Sequence, residues 1–241
     1  MSDLVPGKLI RRYKRFLADV YLSDGELLTV HCPNTGSMKN CVEEGAAVWL
    51  SRSSNPKRKY AYTWEYIQTR LGHYIGIHSA QANRLVKEGI ERGTVGELAD
   101  YSTLQSEVKY GTENSRIDFL LTANGIPDCY VEVKSVTLLE APFSKGVGYF
   151  PDAISERGSK HLRELAEMAK QGKRAVLLFC VQHSGIRRVR VADHIDVHYG
   201  KALRDAVSHG VEILVYKTRF NHLQTRLWKP IPFETITDNA F

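Results

Sequence analysis

The chain of 241 residues has four cysteines, Cys32, Cys41, Cys129 and Cys180. No two form a Cys-x-x-Cys pair, which argues against a zinc ribbon or a thiol redox motif and predicts reduced thiols. Nine histidines are scattered, and His73, His78, His183, His194 and His198 show no metal-ligand spacing. Long apolar runs are also missing. No segment approaches the roughly 18 uninterrupted apolar residues of a membrane helix, and the stretch Met1-Ser2-Asp3-Leu4-Val5-Pro6-Gly7 has no apolar leader region. The expectation is a cytoplasmic protein with no membrane partner. Internal repeats, low-complexity tracts and long blocks of one charge are absent, so disordered arms are not expected. No helix presents base-reading residues at helix-turn-helix spacing, which argues against sequence-specific DNA readout.

What is present is an ordinary apolar content of 43 % and a formal net charge of +6. The first is enough for a real core, and the second suits a polyanionic partner without identifying one. Up to about residue 80 the chain reads as short strands broken by turn signals, at Phe16 to Leu22, Leu27 to His31, Ala46 to Leu50 and Ala61 to Leu71. That pattern fits a small OB-like β-barrel. The texture changes at Gln81 to Glu88, where Leu85 and Val86 fall on one helical face, and a domain boundary is expected near residue 83, giving domains 1–83 and 84–241. The first of these is the more basic.

Beyond the boundary, strands are expected at Gln105 to Tyr110, Arg116 to Leu121 and Cys129 to Lys134, the last two joined as a hairpin through Asn124-Gly125. A helix is expected over Ser159 to Lys170 and another over Lys201 to His209. The nearly continuous apolar run Ala175 to Val181 should be a buried central strand, and Val211 to Tyr216 a further one. The second domain is therefore α/β.

The hairpin carries the chemistry. Strict alternation sends Arg116, Asp118 and Leu120 to one face of its first strand and Ile117, Phe119 and Leu121 to the other. On its second strand Glu132 and Lys134, two apart, share a face opposite Val131 and Val133. Two carboxylates and a lysine so gathered can hold a hard cation that keeps part of its water shell, while the ammonium steadies a phosphate or an attacking water. An ordinary salt-bridged hairpin gives the same pattern.

The residues Arg116-Ile-Asp-Phe-Leu-Leu and Tyr130-Val-Glu-Val-Lys-Ser resemble the PD-(D/E)xK nuclease superfamily, and more closely the chain is similar to the sugar fermentation stimulation protein A family. The likeness runs through Arg12-Tyr-Lys-Arg-Phe, Cys32-Pro-Asn-Thr-Gly-Ser-Met, Lys57-Arg-Lys-Tyr, Phe150-Pro-Asp-Ala, Glu156-Arg-Gly-Ser-Lys-His-Leu and Leu177-Leu-Phe-Cys-Val-Gln. It implies an N-terminal OB-like domain, a C-terminal nuclease-like domain, DNA binding without strong sequence preference, and a regulatory link to sugar, especially maltose, metabolism. It also implies Asp118 and Glu132 as ligands of Mg²⁺ or Mn²⁺ and Lys134 as the catalytic lysine. The superfamily's proline before the aspartate is Ile117 here. A further acidic ligand is frequent in that superfamily, and Glu107 is the candidate, with a solvated strand glutamate as the alternative.

Three surfaces are candidates for DNA. Arg157, Lys160, His161 and Glu164 fall at i, i+3, i+4 and i+7, one polar helical stripe beside the hairpin, with Leu162 and Leu165 facing inward. Arg116 stands next to Asp118. In the barrel, Arg12, Lys14 and Arg15 around Tyr13, and Lys57, Arg58 and Lys59 before Tyr60, interleave cations with rings, which suits phosphate contact plus base stacking. Core aromatics with an outer coat of cations would read alike. The loop Cys32-Pro-Asn-Thr-Gly-Ser-Met is a structural turn whose amides are also able to meet an anion. Three functions follow: a DNA-binding protein, a Mg²⁺-dependent endonuclease, and a sugar-responsive interaction protein whose acidic cluster is structural only.

Overall fold

The computed structural model describes residues 4–113, 115–221 and 224–234. Six strands build the N-terminal domain: β1 (Val5–Tyr13), β2 (Leu17–Leu22), β3 (Leu27–His31), β4 (Ala47–Arg52), β5 (Tyr62–Gln68) and β6 (Tyr74–Gly76). They form one sheet in the order β3-β2-β1-β4-β5-β6, and a parallel bridge between His31 and Thr63 closes the first five into a barrel. Alternation fills its interior with Leu9, Val20, Val30, Val48, Leu50 and Ile67 around the fully buried Trp64. Strand β1 was not expected from the sequence, because its run of Lys8, Arg11 and Arg12 hides an inward-facing Leu9.

Helix α1 (Gln81–Glu91) runs through the expected boundary at residue 83 and buries Ala82, Leu85 and Val86 against the second domain. That domain continues with β7 (Thr103–Tyr110), β8 (Ser115–Thr122), β9 (Cys129–Val136), β10 (Leu138–Leu139), β11 (Val147–Phe150), α2 (Glu156–Lys170), β12 (Arg174–Val181), β13 (Arg188–Val191), α3 (Val197–Ser208), β14 (Glu212–Asn221) and β15 (Gln224–Pro230). A six-stranded mixed sheet has the order β15-β14-β12-β9-β8-β7, and β10, β11 and β13 make a smaller sheet. Strand β12, parallel to both β9 and β14, is buried on both faces from Ala175 to Val181, which explains its unbroken apolar run. Its Val176, Leu178 and Cys180 pack toward α1, and its Leu177, Phe179 and Val181 pack toward α2 and α3.

Helix α2 starts at its Ser155 cap, upstream of its apolar spacing but where the stripe from Arg157 calls for it, and α3 starts earlier than Lys201 because its cap is Asp196. Ser155 accepts from the Gly158 amide at 3.1 Å and Asp196 from the Tyr199 amide at 2.9 Å. Asp196 also accepts from the Ser155 amide at 2.8 Å, tying the two helix starts together. All four cysteines are buried and unpaired. Among the described residues no helix is long and apolar enough to cross a membrane.

The barrel and the α/β domain meet along two seams. At one, Phe220 packs on Tyr66 and Tyr74, while the Gly76 amide donates to the Gln182 carbonyl. At the other, the loop after β3 reaches Asp152, Leu139 and Glu140.

Candidate functional site

Strands β8 and β9 pair only from Phe119↔Val131 to Leu121↔Cys129. Past Phe119 the pairing ends, and the Val133 amide donates to Asp118 Oδ2 at 2.7 Å in place of a strand carbonyl. Asn83 of α1 donates to the other oxygen, Oδ1, at 2.6 Å. The split breaks the alternation expected on β8: Ile117 packs in the same core as Leu120, whereas Phe119 and Leu121 pack in the opposite one. The β7–β8 ladder is interrupted at the same level. Ser106↔Phe119 and Val108↔Ile117 flank an unpaired Glu107, whose φ of 57° is left-handed.

Glu132 projects from β9 beneath α2 and is 2 % exposed. Its Oε1 receives Lys134 Nζ at 2.6 Å and also contacts His161 Nδ1. His161 Nε2 accepts from Arg157 Nε at 3.4 Å, which leaves the ring proton on Nδ1 to be given to Glu132. The second carboxylate oxygen, Oε2, is buried and has no partner among the described residues.

The electrostatics separate the two carboxylates. Burial pushes Asp118 up to about 6, and the charge of nearby Glu132 adds to the effect against the bonds from Val133 and Asn83. Burial also pushes Glu132 up, but the bond from His161 and the charge of Lys134 outweigh it and hold Glu132 below its ordinary value. Tyr110, raised by burial, feels the charges of Glu132, Glu164 and Asp118, so all three acids bear on one hydroxyl.

The pair suits a divalent cation. An orphaned buried carboxylate oxygen and two acids in mutual repulsion are what a hard cation relieves. Among the described residues no three His, Cys, Asp or Glu side chains form a complete metal cage. Two carboxylates would therefore hold an ion that keeps several waters, as Mg²⁺ does. Glu107 does not complete the set: its side chain is exposed, and its carbonyl takes Arg116 Nη1 at 2.9 Å.

The helical stripe differs from expectation. His161 is 5 % exposed and Glu164 is buried, with Glu164 Oε1 accepting from the Glu113 amide at 3.0 Å. The signal was available, since His161, Glu164, Leu165 and Met168 continue one inward spacing. Arg157 remains exposed, and Lys160 donates to the Glu113 carbonyl. Asn83 carried no readable signal, because only the folded chain brings α1 to β8.

In the barrel, Arg12 and Arg15 are occupied. Arg12 Nη2 donates to the carbonyls of Arg15, Asn34 and Gly36 at 2.7, 2.9 and 3.0 Å, and Arg15 donates to Thr35. These two residues clamp the Cys32 to Met38 loop, Arg12 half-buried and Arg15 still exposed. That loop does present groups to an anion, but an internal one: Met38 N and Ser37 Oγ donate to Asp152 Oδ2 at 3.2 and 3.1 Å. Lys14, Lys57, Arg58 and Lys59 are exposed, with Lys59 Nζ 5.5 Å from the Tyr60 ring centroid and Arg58 Nη1 3.2 Å from Thr63 Oγ1.

Comparison with known proteins agrees with this architecture. Residues 10–77 match the model described as SfsA N-terminal OB domain, and residues 80–224 match that described as Sugar fermentation stimulation protein RE domain. The chain is 59 % identical over 216 residues to a sugar fermentation stimulation protein homolog of Shewanella frigidimarina, covering 90 % of this chain and 91 % of the relative. A homolog of Shewanella loihica is 58 % identical over 226 residues, covering 94 % and 95 %. The structure of Pyrococcus furiosus SfsA in complex with Ca²⁺ superposes with a TM-score of 0.86 at 23 % identity over 97 % of each chain, a likeness of fold.

Proposed function

The chain belongs to the sugar fermentation stimulation protein family, and from that premise we propose that it binds DNA without strong sequence preference and hydrolyses its backbone with Mg²⁺ or Mn²⁺. One observation carries the reading: where β8 splits from β9, Asp118 is held by the Val133 amide and feels the charges of both Glu132 and Lys134. Pyrococcus furiosus SfsA, of like fold, was determined in complex with Ca²⁺, which is in keeping with a divalent-cation site here.

Asp118 and Glu132 would hold the cation, which when bound polarises a phosphoryl group and acidifies water. The remaining work falls to the chain. Lys134 Nζ, anchored on Glu132 at 2.6 Å, keeps a positive charge where the attacked phosphate gathers negative charge. His161 orients Glu132 through Nδ1, and Arg157 fixes that ring through Nε2. Arg157, Arg116, Lys14, Lys57, Arg58 and Lys59 supply exposed cations for phosphate contact.

A second reading, DNA binding without cutting and a regulatory role in sugar metabolism such as that of maltose, is favoured by the crowding of Glu132. Its Oε1 is shared by Lys134 and His161 inside an almost sealed site. One assay separates the two: single-stranded, duplex and branched DNA are incubated with Mg²⁺ or Mn²⁺ and with wild type, Asp118→Ala or Lys134→Ala. Cleavage by wild type alone supports hydrolysis. Retained binding with no cutting under either metal leaves the regulatory reading.

A further inference from the structure

Of the three tryptophans, Trp64 lies in the barrel core and Trp49 packs 5.5 Å from the Tyr74 ring. Trp228 is different: it is 45 % exposed on β15, the edge strand of the large sheet. The register explains its position. Lys217 pairs with Lys229 and Thr218 with Leu227, so Trp228 is the extra residue of a bulge, a device that re-aims a side chain. Leu227 beside it is buried against Gly89 of α1, which fixes the strand while the indole points away from that core.

Two cations flank the ring. Lys229 Nζ is 4.5 Å and the Arg219 guanidinium 5.5 Å from its centroid. Arg219 stands directly across the ladder from Arg226. Edge strands commonly carry lysine and arginine to prevent sheet extension, but that role does not call for an exposed indole, which works against it. On the neighbouring position of the same hairpin, Phe220 docks on Tyr66 and Tyr74 of the barrel, so the strip adjoins the OB domain.

Both cations lie over the half-exposed ring, so an unpaired base stacks on it as they swing off to neutralise the flanking phosphates. We propose that Trp228, with Arg219 and Lys229, is a base-stacking subsite for single-stranded nucleic acid. The proposal rests on the DNA reading above and deepens it by naming the form of the ligand. Duplex DNA keeps its bases stacked on one another and offers this ring only backbone.

The test uses the full chain in EDTA, so that hydrolysis plays no part. Wild type, Trp228→Ala, Trp228→Phe and the double variant Arg219→Ala/Lys229→Ala are titrated with a 20-residue oligothymidylate and, separately, with a mixed-sequence duplex of equal length. Anisotropy of labelled DNA and quenching of indole emission are followed. Oligothymidylate should quench wild type, and Trp228→Ala should bind it about tenfold more weakly with that quenching lost. Trp228→Phe should recover most of the affinity, and duplex affinity should stay within about twofold throughout the Trp228 series. The double variant should flatten the salt slope on the single strand by about 1.4.

Equal binding of oligothymidylate by Trp228→Ala and wild type overturns the subsite. So does an equal loss on duplex, which would mark backbone contact. If wild type binds neither DNA, the DNA reading itself fails. If wild type binds duplex but ignores the single strand, only the stacking subsite fails. Unchanged urea midpoints confirm that the variants fold.

Discussion

Asp118 Oδ2 accepts the Val133 amide at 2.7 Å and so occupies the place where a regular ladder would put a strand carbonyl. Structure and chemistry are coupled in this one contact. Asp118→Ala leaves a buried amide unpaired and should cost about 1 to 3 kcal/mol, read as a lower urea midpoint at pH 5. Asp118→Asn retains an acceptor for Val133 and should fold normally.

The same aspartate has a pH signature. Its native carboxyl titrates near 6, above the ordinary 3.8. The native state therefore holds the proton more tightly than the unfolded chain, and stability is lost as pH rises from about 4 to about 6. The expected loss is up to about 3 kcal/mol in metal-free buffer. Asp118→Asn should lack that component, so its stability relative to wild type should improve across this window. A constant difference between the two from pH 4 to 8 would contradict the assignment.

Arg12 should behave as a structural clamp. Arg12→Ala frees the carbonyls of Arg15, Asn34 and Gly36 and should lower stability by about 2 to 3 kcal/mol in urea unfolding. Its effect on the salt dependence of DNA binding should be slight. Lys57→Ala/Lys59→Ala should do the reverse, leaving the unfolding midpoint unchanged and reducing the slope of log K against log salt on duplex DNA by about 2.

His183 supplies an acid-side prediction at the domain seam. Burial, with the charges of His73 and Lys217, lowers it from 6.5 to about 3, and its Nδ1 accepts the Gly185 amide at 3.0 Å. A histidine depressed in the native state contributes stability above pH 6.5 that is lost as pH falls toward 3, by at most about 1.4 kcal/mol per unit. His183→Asn keeps an acceptor for Gly185 and removes the titration. Thermal unfolding of the two proteins between pH 7 and 4 should converge as the wild type weakens, and parallel curves would refute this.

Much of the fold was legible from local signals. The Asn124-Gly125 turn placed β8 beside β9, and the unbroken apolar run placed β12 at the centre. Strand period put Glu132 and Lys134 on one side of β9, where they meet at 2.6 Å, but it did not foresee that β8 parts from β9 at Asp118. What escaped depends on distant partners. The split at Asp118 needs α1 to deliver Asn83, and β15 needs β14 and Gly89 to recognise Leu227 as core. The clamp role of Arg12 was invisible because an arginine that binds carbonyls and one that binds phosphate look alike in a sequence. His161 was misplaced for a different reason. A polar stripe was read as solvent-facing although its spacing continued into Leu165 and Met168.

The most direct test is isothermal titration of Mn²⁺ and Ca²⁺ into wild type, Asp118→Asn and Glu132→Gln at pH 7.5. The account predicts saturable uptake by wild type and its loss in both variants, each of which keeps its urea transition. No uptake by wild type, or uptake undiminished by either substitution, would contradict a cation shared between Asp118 and Glu132.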